Sequence, residues 1–216
     1  MATRARALSP NDGRSVRASK KRESRRKAIL QAARRAFAEK GYHHTHVADI
    51  IAGAGIARGT FYLYFESKNA IFLELLDQLL DELQASIVGV DTEEGAPPVE
   101  AQLVDRVQQI LGLVVQNRAL TRILVREAVG LDADVDRRLH EFYGSLLEYI
   151  RDALENGKRM GFLRELDTEV AAFCVLGTIK QFMEQLVMSE DDHLAENVDR
   201  LALQVLDFNL RGLLKS

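Results

Sequence analysis

The stretch Thr45–Lys68, THVADIIAGAGIARGTFYLYFESK, constrains the fold more than any other. Val47, Ile50 and Ile51 recur at i, i+3 and i+4, which places one apolar stripe on a short helix. Thr45, just ahead of them, is its predicted N-cap. Gly53-Ala54-Gly55 ends that helix, because glycine accepts the positive φ of a sharp turn. A second short helix starts near Ala57 and carries Arg58, Gly59, Thr60, Tyr62 and Tyr64. Phe61 and Phe65 interleave with the tyrosines, so the two pairs cannot share a helix face. The phenylalanines are assigned to the core and the tyrosines to the outside. Ser67 then caps a third helix. Helix, tight turn, helix is the helix-turn-helix, whose second helix enters the major groove of duplex DNA. Arg58 is the long donor at its start and suits a bidentate contact to guanine. The phenols of Tyr62 and Tyr64 suit phosphate oxygens.

These residues carry a resemblance. Thr45, Val47, Asp49, Ile50, Ala54, Gly55, Gly59, Thr60, Tyr62, Tyr64, Phe65 and Lys68 follow the DNA-binding signature of the tetracycline-repressor (TetR) family of transcriptional regulators. Upstream, ILQAARRAFAEKGY (Ile29–Tyr42) is similar to that family's first helix. The similarity covers residues 25 to 75. It implies DNA-backbone contacts by His44 and Thr45, at the junction before the second helix, and a phosphate contact by Lys68. Two positions depart from the pattern. Ala57 stands where many members have a Ser or Thr cap, a loss of about 1 kcal/mol, and Ile51 replaces the usual alanine. His43, His44 and His46 lie close together, but no Cys, Asp or Glu completes a set at ligand spacing, so no metal is expected.

Charge is divided along the chain. The net charge is −3, yet residues 1–27 hold ten Lys/Arg against two acids, Asp12 and Glu23. The remainder is therefore acidic. Few apolar residues, with Pro10, Asn11 and Gly13, predict a disordered basic arm over 1–22. Its position suits neutralising phosphates or entering the minor groove beside the helix-turn-helix. The single Cys174, set among apolar residues, cannot form an internal disulfide and is expected to be buried and inert. No apolar run reaches the ~20 residues of a membrane span, and no apolar run follows the basic N-terminus as in a secretory signal. The expected location is the reducing cytoplasm, without a membrane partner.

From Lys68 the apolar period is helical and no alternating strand pattern occurs. Ile71, Phe72, Leu75, Leu76, Leu79, Leu80, Leu83 and Ile87 mark one helix to about Val88, long enough to act as a lever from the DNA reader. Gly89–Pro98 is a turn-rich acidic linker. Further helices are expected over Val99–Asn117, Arg118–Val129, Asp134–Met160, Thr168–Met188 and Ala195–Leu213. The helix 168–188 is apolar on most sides and must be buried on most sides. The fold class is all-α. It comprises a three-helix helix-turn-helix domain over 23–69 and a helical ligand-binding and dimerisation domain over 70–216.

That second domain shows no Ser/His/Asp set, nucleophile elbow, phosphate loop or metal cluster, so neither a catalytic residue nor a cofactor is expected. A helical bundle beside a DNA reader suits a sensor with a cavity between its helices. Phe142, Tyr149, Phe173, Phe182 and Met183 are the expected lining. Arg122 and Arg126, one turn apart, suit an acidic group on the ligand. The resemblance implies a homodimer built on the last two helices, acting as a repressor that a small molecule releases from a palindromic operator. Leu124–Tyr143 is also similar to members that sense lipophilic compounds. Two other readings stay open: a helix-turn-helix regulator governed by a protein partner or by no effector, and a helical enzyme or scaffold.

Overall fold

The computed structural model describes residues 10–87, 89–126, 132–188 and 197–213, with side chains from Ser15 onward and Arg126 excepted. Among these residues the chain forms α1 (Pro10–His44), α2 (Val47–Ala54), α3 (Arg58–Tyr62), α4 (Lys68–Ala85), α5 (Val99–Gln116), α6 (Arg118–Arg126), α7 (Ala133–Arg159), α8 (Thr168–Met188) and α9 (Val198–Leu213). The all-α class is as expected. The chain divides into two units, Met1–Phe72 and Leu73–Ser216. That division falls three residues beyond the expected one, and Phe72 explains it. Its ring is fully buried, 6.2 Å from Phe37 and 5.0 Å from Tyr42, so the first turn of α4 belongs to the first unit.

In the first unit, α1 starts at Pro10, well before residue 23, where the first domain is expected to begin. Residues 10–22, anticipated as a disordered arm, are helical from Pro10 on. Proline's fixed φ suits a first helical turn. From Arg14 to Lys40 the chain contains neither Gly nor Pro and is rich in Ala, Lys and Arg, all strong helix formers. Helical geometry breaks at Gly41, with φ 74° and ψ 171°. Ile29, Phe37, Ile50, Phe61 and Ile71 form the buried interior. Gly55, at φ 63°, takes the left-handed position that ends α2.

In the second unit, α8 packs against α5, α6, α7 and α9. One cluster joins Val107 and Leu111 of α5, Leu186 of α8, and Leu201 and Ala202 of α9. Another joins Leu154 of α7 to Ala171 and Ala172 of α8. Asp167 caps α8 by accepting from the N–H groups of Glu169 (3.0 Å) and Val170 (3.1 Å). The segment between α7 and α8 closes onto the end of α9. There the Arg164 N–H donates to Leu213 O and its Nε to Gly212 O.

Two expectations about α8 are corrected. By length and a mean hydropathy of 1.3 it is apolar enough to cross a membrane, whereas no apolar run of that length is expected from the sequence. Its packing against four helices accounts for one apolar side. The other side is open: Val170 and Phe173 are more than half exposed, and Cys174 is exposed rather than buried. The expected ends of the helices at Val129 and Ala195 lie outside the described residues.

The linker before α5 is held by one side chain. Gln102, nearly fully buried, donates through Nε2 to Asp91 O (2.8 Å) and Pro97 O (2.7 Å), and its Oε1 accepts from Asp91 N (2.8 Å). Gln102→Ala removes three hydrogen bonds and leaves backbone groups unpaired. It should lower the unfolding free energy by about 1–3 kcal/mol, measured by denaturant titration, and speed proteolysis between 89 and 98.

Candidate nucleic-acid interface and effector cavity

The first unit is organised around Tyr42. Its ring, 7% exposed, packs against Phe37 (5.6 Å) and Phe72, and its hydroxyl donates to Asn69 Oδ1 (3.4 Å). Lys68 completes the junction. Its Nζ donates to Tyr42 O (2.6 Å) and His43 O (3.5 Å) and lies 4.3 Å from the Tyr42 ring centroid. The lysine expected at a phosphate is thus already engaged with the carbonyls that end α1. A cation at a helix C-terminus is favourably placed against the partial negative charge there.

Thr45 is also reassigned. It is 0% exposed, and its hydroxyl donates to Gly41 O (2.7 Å) and Ala36 O (3.1 Å). It therefore fastens the break in α1 and neither caps α2 nor reaches solvent. The N-cap of α2 is His46, whose N–H is accepted by Asp49 Oδ2 (2.8 Å). Asp49 Oδ1 lies 2.6 Å from Lys40 Nζ. The Lys40 hydrogen bond, seconded by the His46 N–H, holds the Asp49 carboxyl below its ordinary pKa.

The helices α2 and α3 stand between these two fastenings. On α3, Phe61 (0% exposed) and Phe65 just beyond it (4%) point inward, as expected. Arg58 and Gly59 are exposed, Tyr62 is 49% exposed, and Thr60 and Tyr64 are half-buried. His44 is exposed at the end of α1. The structure therefore brings Arg58, Gly59 and Tyr62 to one accessible helix and leaves Tyr64 only partly available. Ala57 is the N-cap of α3 and makes no side-chain bond, as its departure from the family pattern implies. Leu63, 74% exposed at the end of α3, escaped the sequence reading. The only sequence signal for it is an apolar residue set between two outward tyrosines.

The second unit encloses a narrow apolar cavity of ≈ 70 Å³ among α4, α5, α6, α7 and α8. Phe142 and Met183 line it, as expected, with Leu79, Leu83, Leu124 and Tyr143. Tyr149 does not line it. Phe182 packs on the Val107–Leu111–Leu201 cluster, as Met183 also does, but does not line the cavity. Phe173 is exposed, and Arg122 is exposed and absent from the lining. Arg126 lies outside the described side chains. Lys180, which also lines the cavity, was legible as the polar member of an i, i+3, i+4, i+7 set with Leu176, Ile179 and Met183. Its Nζ lies 3.7 Å from Glu184 and 5.4 Å from the Tyr143 ring. Burial, with Glu184 nearby, pushes the Tyr143 phenol up. Arg138 of α7 pairs with Asp77 of α4.

The lowered Asp49 pKa has a signed consequence. Its stabilisation is present above the ordinary carboxylate value of about 3.9 and is lost as pH falls through the lower folded value. Asp49→Asn should therefore reduce the melting temperature at neutral pH. The difference from the parent should shrink at the acid end, as followed by circular dichroism across pH.

Comparison with known proteins agrees with this architecture. The family model for bacterial regulatory proteins of the tetR family matches residues 29–75. The chain is 30% identical over 199 residues to the uncharacterised HTH-type transcriptional regulator YdgC of Bacillus subtilis, covering 88% of this chain and 92% of that one. It is 25% identical over 190 residues to the fatty acid metabolism regulator protein of the same organism, covering 86% and 93%. A bacterial regulatory protein of the tetR family from Rhodococcus RHA1 shares the fold, with a TM-score of 0.72 at 21% identity over 89% of this chain and 98% of that one. A helix-turn-helix presenting α3 on a bolted aromatic base, joined to a helical second unit and matched over nearly its whole length, places this chain in the TetR family of DNA-binding transcriptional regulators.

Proposed function

We propose that the protein is a homodimeric repressor that a small lipophilic effector releases from a palindromic operator. The observation that carries this reading is the uncovered apolar side of α8 and α9. Val170, Phe173, Leu203 and Phe208 are each more than half exposed, and Phe208 is 72% exposed. Between the two helices lies an open groove of ≈ 740 Å³ lined by Val170, Ala171, Val175, Phe208 and Leu213. Apolar surface on this scale, on two adjacent helices, suits a twofold four-helix interface with a second copy. A five-residue α3 reads few base pairs; two copies read two half-sites about 34–36 Å apart. Within each half-site Arg58 meets guanine, Leu63 offers an apolar contact to a thymine methyl, and Tyr62 meets phosphate.

The cavity supports the effector. Its lining is almost wholly aliphatic and aromatic, and a relative is by name a fatty acid metabolism regulator. At ≈ 70 Å³ it is far smaller than the roughly 300–1,000 Å³ of a ligand-filled pocket. Binding must therefore enlarge it by moving its walls. One wall is α4, which begins at Lys68 in the DNA-reading unit and supplies Leu79, Leu80 and Leu83 to the cavity. Displacement of α4 changes the setting of α3 and so the match to the second half-site. A switch from 99:1 to 1:99 requires the effector to prefer the open state by about 5.5 kcal/mol.

Phe208→Glu should yield monomers by analytical ultracentrifugation and weaken binding to a palindrome, while binding to an isolated half-site persists. A monomer that holds the full palindrome as tightly as the parent would overturn the dimer. Arg58→Ala should relax selection at one base pair per half-site, costing about 1–3 kcal/mol there, as read by binding to a randomised duplex pool.

A further inference from the structure

The N-terminal part of α1 is a charged surface that the reading above does not use. From Ser15 to Lys27 every residue but Arg26 is exposed. Arg17, Lys20, Lys21, Arg22, Arg25 and Lys27 lie along this stretch against one acid, Glu23, which pairs with Lys27 at 3.8 Å. The helix is anchored beside the DNA reader: the Arg26 guanidinium sits 5.0 Å from the ring of Phe65, just past α3. From Arg26 back to Pro10 it continues for about 24 Å at 1.5 Å per residue. Cations repeated at this density repel one another when free, and a polyanion relieves that repulsion while releasing its own counterions.

The partner's chemistry follows from what the stretch lacks. Val16 is its only large apolar residue, so it has no apolar face with which to lie in a lipid interface. We infer that residues 10–27 act as a helical rail on the phosphate backbone of the duplex flanking the half-site read by α3. This rests on the DNA-reading role of α3. A helix about 10–12 Å across does not fit a minor groove about 6 Å wide. The rail therefore meets phosphate ridges or the open major groove and carries no base preference. That distinguishes it from the flexible minor-groove arm that composition alone suggests.

The test replaces Arg17, Lys20, Lys21 and Arg22 by Gln in the full-length protein. Parent and variant are titrated with the duplex that the parent selects from a random pool. The duplex is used trimmed to the half-sites or carrying flanks of about ten base pairs, longer than the helix at 3.4 Å per pair. On the flanked duplex the variant should lose at least tenfold in affinity. Its slope of log K against log salt should be shallower by about 0.9 for each contact removed. On the trimmed duplex the two should agree, and base preference should be the same in both. Netropsin, which fills the minor groove, should leave the flank-dependent gain intact. Equal slopes on flanked DNA would overturn the rail, leaving a solubilising segment. Loss of the flank-dependent gain with netropsin would overturn it in favour of minor-groove entry. Parent binding to phosphatidylserine vesicles that the variant loses, with unchanged DNA slopes, would assign the surface to lipid instead. Failure of α3 as a reader shows separately, as a parent that selects no sequence from the pool while the flank-dependent slope is still measurable on any duplex.

Discussion

The junction of Tyr42 with Lys68 holds the DNA-reading unit in register. The chain enters the reader at the end of α1 and leaves it at the start of α4, and both ends are tied at one place. The Tyr42 ring is buried between Phe37 and Phe72, while the Lys68 ammonium bonds the Tyr42 carbonyl and lies over the same ring. A charge-assisted bond to a terminal carbonyl is stronger than a neutral one, and its partly buried position limits screening. Thr45 adds a second fastening by bonding the Gly41 carbonyl at the break and the Ala36 carbonyl in the turn before it. With both ends of α2–α3 anchored, a recognition helix of five residues, too short to be stable alone, acquires a fixed orientation.

The second unit presents the opposite physical situation. Its helices close a small apolar cavity on one side of α8 and leave an apolar face open on the other. Uncovered Phe173 and Phe208 favour association, and a cavity lined by pliable side chains such as Met183 can widen around an apolar guest. The Arg138–Asp77 pair ties α7 to α4, so widening between these helices is opposed by an ion pair as well as by packing.

Charge is segregated to match. The basic residues cluster at the start of α1, beside the reader, and the acidic remainder disfavours contact between DNA and the rest of the chain.

The helix-turn-helix, the inward Phe61 and Phe65, the turn at Gly55, the cap at Ser67 and most helix boundaries were legible in the sequence, because each depends on periodicity or on a residue's own backbone preference. What Thr45 and Lys68 do was not legible. Their polar groups are spent on carbonyls brought near only by the packing of α1 against α2 and of Phe72 against Tyr42. The same holds for Gln102, which reads as an ordinary surface amide until the linker folds back over it. Helix phase decided the cavity. Phe182 and Met183 are neighbours in sequence and both pack on the Val107–Leu111–Leu201 cluster, yet only Met183 also reaches the cavity wall. The apolar composition of α8 established that most of its sides seek cover. Only the tertiary structure showed which side its own chain covers and which, with Cys174, it leaves open, because burial is a property of neighbours and not of the residue.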